Sequence, residues 1–195
     1  MPIPNIRGKA GFDVRTSDLT KGPLHDLTTS EGFLLALKQV LRVRYDGLYW
    51  LGVPCNSWVW IASSTTKRHS SEFGILGDDR IPSVSMGNCI SARCALLIMV
   101  AIVRGIYWCA EQPGSSVLKD SPYISHVLTS MGPHYLKRMS MGAYGHWCIK
   151  PSQLFGSWPN VETFTAKVSK DLREHLSKAS KGMYKKEVLP DGRVR

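Results

Sequence analysis

The sequence predicts an α/β fold in which helices flank a mostly parallel sheet. Strand-like apolar runs alternate along the chain with helical patterns, which is typical of parallel α/β layers. Residues 47–53 and 106–110 are apolar on both faces, as in central strands covered by helices. With 195 residues, 43% of them hydrophobic, the chain is long enough for one sizeable core. We therefore expect one α/β domain over residues 1–159 and a basic helix and tail over residues 160–195.

The amino-terminal third predicts a strand, a helix and a second strand. A short candidate strand spans residues 11–19 and has Asp18 near its end. A Ser/Thr-x-x-Glu capping pattern at residues 28–31 precedes apolar residues at helical spacing, which predicts an amphipathic helix. Residues 47–53 then form the first central strand.

The middle of the chain predicts a long loop, a helix and the second central strand. Residues 63–88 are polar and glycine-rich, as in long functional loops. A helix over residues 88–104 ends at Gly105, because glycine readily adopts the positive φ of a helix stop. Residues 106–110 follow as the second central strand.

The last third predicts shorter elements. These are a helix at 121–131, a strand or basic turn at 135–141, a late strand or hairpin near 153–156, and a helix from residue 160 to about Gly182.

The charge and cysteine content indicate the kind of partner and compartment. A formal net charge of +10 favours nucleic acid as partner, because Lys and Arg replace the counterions around phosphate. Five cysteines without the paired spacing of a zinc motif predict a reducing compartment and no metal. No secretory signal is visible, and the most apolar run, residues 95–103, is shorter than a membrane span. We expect an intracellular protein of nucleus or cytoplasm that does not bind membranes.

A thiol and a carboxylate follow the two central strands. Cys55 comes after the first strand, behind Pro54, and Glu111 comes after the second, ahead of Gln112 and Pro113. Ligands of parallel α/β sheets bind at the carboxyl ends of strands, so neighbouring strands would present both groups to one cleft. A cysteine can add to an electron-poor ring carbon, and a carboxylic acid can protonate the ring nitrogen that receives the charge.

This order of motifs resembles that of the cytosine-5 DNA methyltransferases and their divergent relatives. The resemblance lies in the order of the motifs: Pro-Cys after one strand, then Arg68 with the Asp-Asp-Arg loop at 78–80, a helix, and Glu-Gln-Pro after the next strand. It extends to Tyr-Gly at 144–145 and Lys-Pro-Ser at 150–152. The resemblance implies a Rossmann-like, methyltransferase-type sheet whose first strand and helix are missing or degenerate. The family's glycine-rich cofactor loop has no counterpart, since only ten residues precede Gly11.

The resemblance also implies a role for each motif residue. Cys55 would attack C6 of a cytosine flipped out of the duplex, and Glu111 would engage N3. S-adenosylmethionine would be the cofactor, with Asp18 binding its ribose, if a partner chain or a missing amino-terminal segment completed the site. The residues that would contact the target base or its phosphate are Pro54, Arg68, Arg80, Gln112 and Pro113.

Further contacts to nucleic acid are predicted from residue type alone. Trp58 and Trp60 follow Cys55 and could stack on a base. Near the end of the chain, phosphate contacts are predicted for four lysines that otherwise form a solvated helix face: Lys178, Lys181, Lys185 and Lys186.

Simpler interpretations stay open for the same residues. Cys55 can be a small buried hydrophobe, and Glu111 can cap a helix near Ser115. His146 and Cys148 lack the second pair of ligands that a metal site needs. Two functions therefore stand: a cytosine-5 methyltransferase-like protein, incomplete or inactive as a lone chain, or a non-catalytic basic protein that holds RNA, DNA or an acidic subunit.

Overall fold

The structure, a computed structural model, describes residues 19–183 and has an α/β architecture built on one four-stranded sheet. The strands are β1 (Leu48–Gly52), β2 (Tyr107–Pro113), β3 (Tyr135–Ser140) and β4 (Pro151–Gly156). The helices are α1 (Ser30–Leu41), α2 (Ser63–Thr66), α3 (Pro82–Val103), α4 (Pro122–Ser130) and α5 (Lys170–Met183). Short 3-10 helices cover Leu19–Lys21, Pro23–His25, Trp60–Ala62, Leu118–Asp120, Met141–Tyr144 and Pro159–Thr163.

The sheet is mixed, in the order β1-β2-β4-β3. β1 and β2 are parallel, whereas β4 is antiparallel to both of its neighbours, β2 and β3. The prediction of a mostly parallel sheet was therefore wrong for the described strands. The short connection between β3 and β4 explains the difference, because a parallel pairing needs a crossover of about a dozen residues or more. β1, β2 and β3 still share one direction, and β4 runs against them.

The main core lies between one face of the sheet and helices α3 and α4. Trp108, Ala110 and Phe155 project from the sheet into this core, where the rings of Trp108 and Phe155 meet edge to face at 6.3 Å. Ile98 and Ile124 cover them from the two helices. The core therefore fixes β2 and β4 relative to α3.

Helix α3 is the crossover between β1 and β2 and begins earlier than predicted. Proline at the first position suits a helix start, so the helix begins at Pro82 rather than at residue 88. Among the described residues, this one helix is long and apolar enough to cross a membrane, but 44% of its most apolar window is buried in the protein. Core helices share that property, so it is weak evidence for a membrane location.

Helix α1 packs on α3 in a second cluster. The Thr29 hydroxyl accepts a hydrogen bond from the Gly32 amide at 3.0 Å, which caps the predicted amphipathic helix. Val40 then packs against Leu97 and Ala101 of α3. Residues 11–18 of the predicted first strand lie outside the described residues.

The opposite face of the sheet is covered by the segment that follows β4. Cys109 and Leu154 contact Val161 there, in the 3-10 helix Pro159–Thr163. The predicted helix from residue 160 is therefore divided into this short turn and α5, which begins at Lys170. Residues after 159 thus contribute to the core of the domain.

We predict that Gly32→Ala destabilises the fold. Alanine favours a helix over glycine by about 1 kcal/mol, but a Cβ at this position would overlap the carbonyl oxygen of Asp26. Because backbone must move to relieve the overlap, we expect the free energy of unfolding to fall by about 1–3 kcal/mol in urea titrations followed by circular dichroism. The control is Gly52→Ala, whose added Cβ has no heavy atom within 4 Å. An equal effect of both variants would contradict the prediction.

Candidate functional site

Strands β1 and β2 bring the Cys55 and Glu111 segments to the same end of the sheet. The last residue of β1, Gly52, is the register partner of Glu111. The chain then leaves β1 through Val53 and the exposed Pro54 to Cys55, a half-buried thiol that is not in a disulfide. Cys55 thus follows β1, as predicted, whereas Glu111 lies within β2, two residues before the end of the strand, rather than after it.

Gln112 joins the two strand ends. Its Nε2 donates to the carbonyl oxygens of Val53 at 2.5 Å and Glu111 at 3.0 Å, and its Oε1 accepts from the Ser116 hydroxyl at 2.8 Å. Only 1% of the residue is exposed. Gln112, predicted to bind substrate, lies in the interior, where it holds the segment before Cys55 against the end of β2.

Glu111 is held by the segment that begins β4. Ser152 Oγ donates to Glu111 Oε1 at 2.7 Å, and Lys150 Nζ lies 3.4 Å from the same oxygen. The carboxylate side chain is 16% exposed, and Oε2 accepts no hydrogen bond from the described residues. One carboxylate oxygen is therefore available to a ligand. Pro113 lies beside this site, since it is half-buried and pairs with Ser152.

The two partners of Glu111 were missed as functional residues by sequence reasoning. Lys150 and Ser152 were noted only as part of a Lys-Pro-Ser stretch. Their place depends on the antiparallel pairing of β2 with β4, which the expectation of a mostly parallel sheet did not provide. The sequence of β4, Pro-Ser-Gln-Leu-Phe-Gly, has no polar and apolar alternation that would have marked Ser152.

Arg68 is an internal residue. Its Nε donates to the Ser57 carbonyl at 2.7 Å and its Nη2 to the Ser57 hydroxyl at 3.0 Å. Its Nη1 donates to the carbonyls of Ile75 and Leu76 and to Asn88 Oδ1, at 2.9 to 3.0 Å. Burial lowers the pKa of Arg68 to about 10, partly offset by the charge of Asp79, so the guanidinium stays protonated at neutral pH.

Trp58 lies under this guanidinium. The Arg68 Cζ is 3.4 Å from the centre of the Trp58 ring, and the tryptophan is 0% exposed. Arg68 and Trp58, both predicted to contact nucleic acid, thus contact each other in the interior of the domain.

Arg80 and Trp60 are exposed. Arg80 binds Asp78 through two hydrogen bonds of 2.8 Å, and 80% of its side chain is accessible. These bonds lower the pKa of Asp78. Trp60 is 60% exposed, and its ring lies 5.8 Å from that of His69. Of the two tryptophans after Cys55, Trp60 is the one that a ligand can reach.

The remaining predicted contacts lie at the ends of the described chain. Lys178 on α5 is exposed and pairs with Glu174 at 2.8 Å, one helical turn earlier. Lys181 is also on α5, but its side chain is outside the described part of the structure. Asp18, Lys185 and Lys186 lie outside the described residues altogether.

An open cavity of about 340 Å³ lies beyond the carboxyl end of β2, beside Trp60. Its lining comes from residues 114–117 after β2 and from Trp60, Lys119, Asp120, Arg138 and Gln153. Gln112 and Gln153 are register partners, so the cavity lies on the face of the sheet to which Gln112 points. Glu111, the preceding residue of β2, points to the other face.

Within residues 19–183, no three His, Cys, Asp or Glu side chains come together as a metal site would need. Within that range, His146 and Cys148 contact each other, with 3.4 Å between Nδ1 and Sγ, and no third such residue joins them.

Comparisons with known proteins give no relative for this chain. No protein-family model matches it, and searches of the curated proteins and of the solved structures find no match.

We predict that Arg68→Lys is strongly destabilising. Lysine keeps the charge but cannot reach the Ser57, Ile75 and Leu76 acceptors together, because it lacks the planar fork of donors. Each buried acceptor left unpaired costs about 1–3 kcal/mol, so we expect unfolding to become easier by more than about 2 kcal/mol in urea titrations.

The matched control is Arg80→Lys, because the Arg80 side chain is 80% exposed. We expect a change within about 0.5 kcal/mol for this variant. If Arg68→Lys were as stable as the native protein, the internal role of Arg68 would be refuted.

Proposed function

We propose that this protein binds nucleic acid and holds an unstacked cytosine between Cys55 and Glu111, as in the cytosine-5 DNA methyltransferases that it resembles. The observation that carries the proposal is the register of β1 and β2. Gly52 pairs with Glu111, and Gln112 holds Val53 against the same strand end. This register brings the segment that carries Cys55 and the strand that carries Glu111 to the same end of the sheet, which supports the proposal.

The proposed chemistry needs neither an oxidant nor a leaving group. The Cys55 sulfur bonds to C6 of the ring while the C5=C6 electron pair moves toward C5. Glu111, protonated on the oxygen that Ser152 does not occupy, donates a hydrogen bond to N3 and so assists the movement of charge into the ring. A proton then reaches C5, so that the thiol S–H has added across one double bond, and the reverse step releases the base.

The described residues do not fit S-adenosylmethionine. Within residues 19–183, no strand followed by a glycine-rich turn and a helix precedes β1, and Asp18 is outside this range. We therefore derive no methyl transfer. A complete reaction would need a cofactor site supplied by a partner chain or by residues outside the described part.

A non-catalytic basic binding protein is the second candidate. The observation that favours it is the engagement of Glu111 with Ser152 and Lys150, which gives this carboxylate a structural role without any ligand. The formal net charge of +10 supports a polyanionic partner for both candidates. Both are consistent with a protein of the nucleus or cytoplasm.

We predict a covalent adduct between Cys55 and a 5-azacytosine-containing oligonucleotide. The thiol adds across the C6=N5 bond of this base, the proton remains on N5, and the product is observed as a mass shift equal to the oligonucleotide. We expect Cys55→Ser to abolish the adduct. Glu111→Gln should slow its formation by a factor of about 10² to 10⁴, as for other general acids.

Cys89→Ser is the control, because Cys89 is also half-buried and not in a disulfide. It should leave adduct formation unchanged. If no adduct forms while the oligonucleotide still binds, the second candidate is correct.

A further inference from the structure

The cavity of about 340 Å³ beyond the end of β2 has an aromatic ring, polar groups and charged side chains in its lining. It is separate from the Cys55 and Glu111 arrangement, because neither residue lines it. Glu111 and Gln112 are consecutive in β2, so the cavity and the Glu111 carboxylate lie on opposite faces of the same strand end. The pocket therefore has to be explained by its own residues.

Gln153 supplies an unused hydrogen-bond acceptor. Its Nε2 donates to the Ser116 carbonyl at 2.6 Å and, more weakly, to the Pro113 carbonyl at 3.3 Å. These bonds fix the orientation of the amide. Its Oε1 is buried and has no partner among the described residues, although the residue is 1% exposed and lines the cavity. Almost none of the Oε1 surface is accessible, so a ligand donor reaches it only when the lining residues move slightly. Because an unpaired buried acceptor is unfavourable, a ligand that donates a hydrogen bond here would be stabilised.

Trp60 supplies an aromatic surface whose backbone is fixed. Its amide donates to the Ser115 carbonyl at 3.1 Å, and the preceding residue, Val59, forms a β-bridge with Ser116. With 60% of the residue exposed, the ring is accessible for stacking. His69 packs against it at 5.8 Å and restricts its position.

Three charged side chains complete the lining: Arg138, Lys119 and Asp120. Arg138 on β3 is the register partner of Gln153 and projects from the same face of the sheet. It is exposed and forms no ion pair within the described residues. Lys119 and Asp120 also line the cavity and form an ion pair with each other, so together they add no net charge to it. An anionic group in the cavity would therefore meet a free guanidinium.

We infer that this pocket binds one nucleotide of a single-stranded nucleic acid. The base stacks on Trp60, its amino or imino edge donates to Gln153 Oε1, and Arg138 contacts the phosphate. A nucleotide joins an aromatic ring, a donor edge and an anion in one unit, which matches the three features of the lining. Both the face and the edge of the base must be free, which a base-paired duplex does not permit. This inference rests on the proposed function in that both require a nucleic-acid partner.

The test is the binding of a fluorescein-labelled single-stranded 12-mer, followed by anisotropy at several salt concentrations. We expect Trp60→Ala to weaken binding about tenfold, the usual effect of losing one stacked base. Its control, Trp147→Ala, removes another exposed tryptophan, which lies outside the cavity lining and stacks on His146. That variant should bind within about twofold of the native protein.

A second pair of variants tests the phosphate contact. We expect Arg138→Gln to weaken binding and to reduce the slope of log affinity against log salt by about 1. Arg104→Gln removes the same charge from the end of α3, away from the cavity, and should leave the slope unchanged. Thermal unfolding of all four variants confirms that they fold.

The outcomes separate this inference from the proposed function. If Trp60→Ala and Trp147→Ala have equal effects, or if a duplex of the same sequence binds as tightly as the single strand, the pocket inference is overturned. Adduct formation by Cys55 would stand in that case. If the single strand binds and Trp60→Ala weakens it while no Cys55 adduct forms, the pocket is supported and the covalent chemistry is refuted.

Discussion

The hydrogen bonds of the Arg68 guanidinium are the interaction on which the candidate site depends. Arg68 lies in the long loop between β1 and α3, yet its donors reach Ser57 in the turn after Cys55, the carbonyls of Ile75 and Leu76, and Asn88 on α3. Asn88 in turn donates to Asp79, so a carboxylate is connected to the buried cation through one amide. A single charge thus ties the Cys55 turn to the main helix of the core. A buried cation is tolerated only when its donors are satisfied, so this part of the chain has little freedom to rearrange.

The carboxyl end of β2 serves two sites because successive side chains of a strand point to opposite faces. Glu111 faces Ser152 and Lys150, whereas Gln112 and its register partner Gln153 face the cavity. Ser116 connects the two glutamines on the cavity face, since its hydroxyl donates to Gln112 and its carbonyl accepts from Gln153. If both proposals are correct, the covalent site and the nucleotide pocket share one rigid support, and a bound strand would pass over the end of the sheet from one to the other.

The sequence predicted the elements of this fold better than their arrangement. The runs that became β1 and β2 were recognisable because they are apolar on both faces, and α1 was recognisable from its cap and apolar spacing. The direction of β4 could not be predicted in this way, because it depends on the connection between β3 and β4, which local sequence patterns do not encode. The burial of Arg68, and of Trp58 beneath it, could not be predicted from local patterns either. An arginine in a polar, glycine-rich loop has the pattern of a surface residue. Its burial arises from partners such as Asn88 that are distant in sequence.

The parallel pairing of β1 with β2 also determines when the site can form. The bond from Gln112 to Val53 joins residues 59 apart in sequence, whereas β3 and β4 are joined by a short return. Closing the longer loop loses more chain entropy before any contact compensates for it, and contacts of this separation slow folding. We therefore expect the β3–β4 hairpin to be an early structure and the Cys55–Glu111 arrangement a late one. A mild loss of stability would then reduce the population of assembled sites before the secondary structure changes.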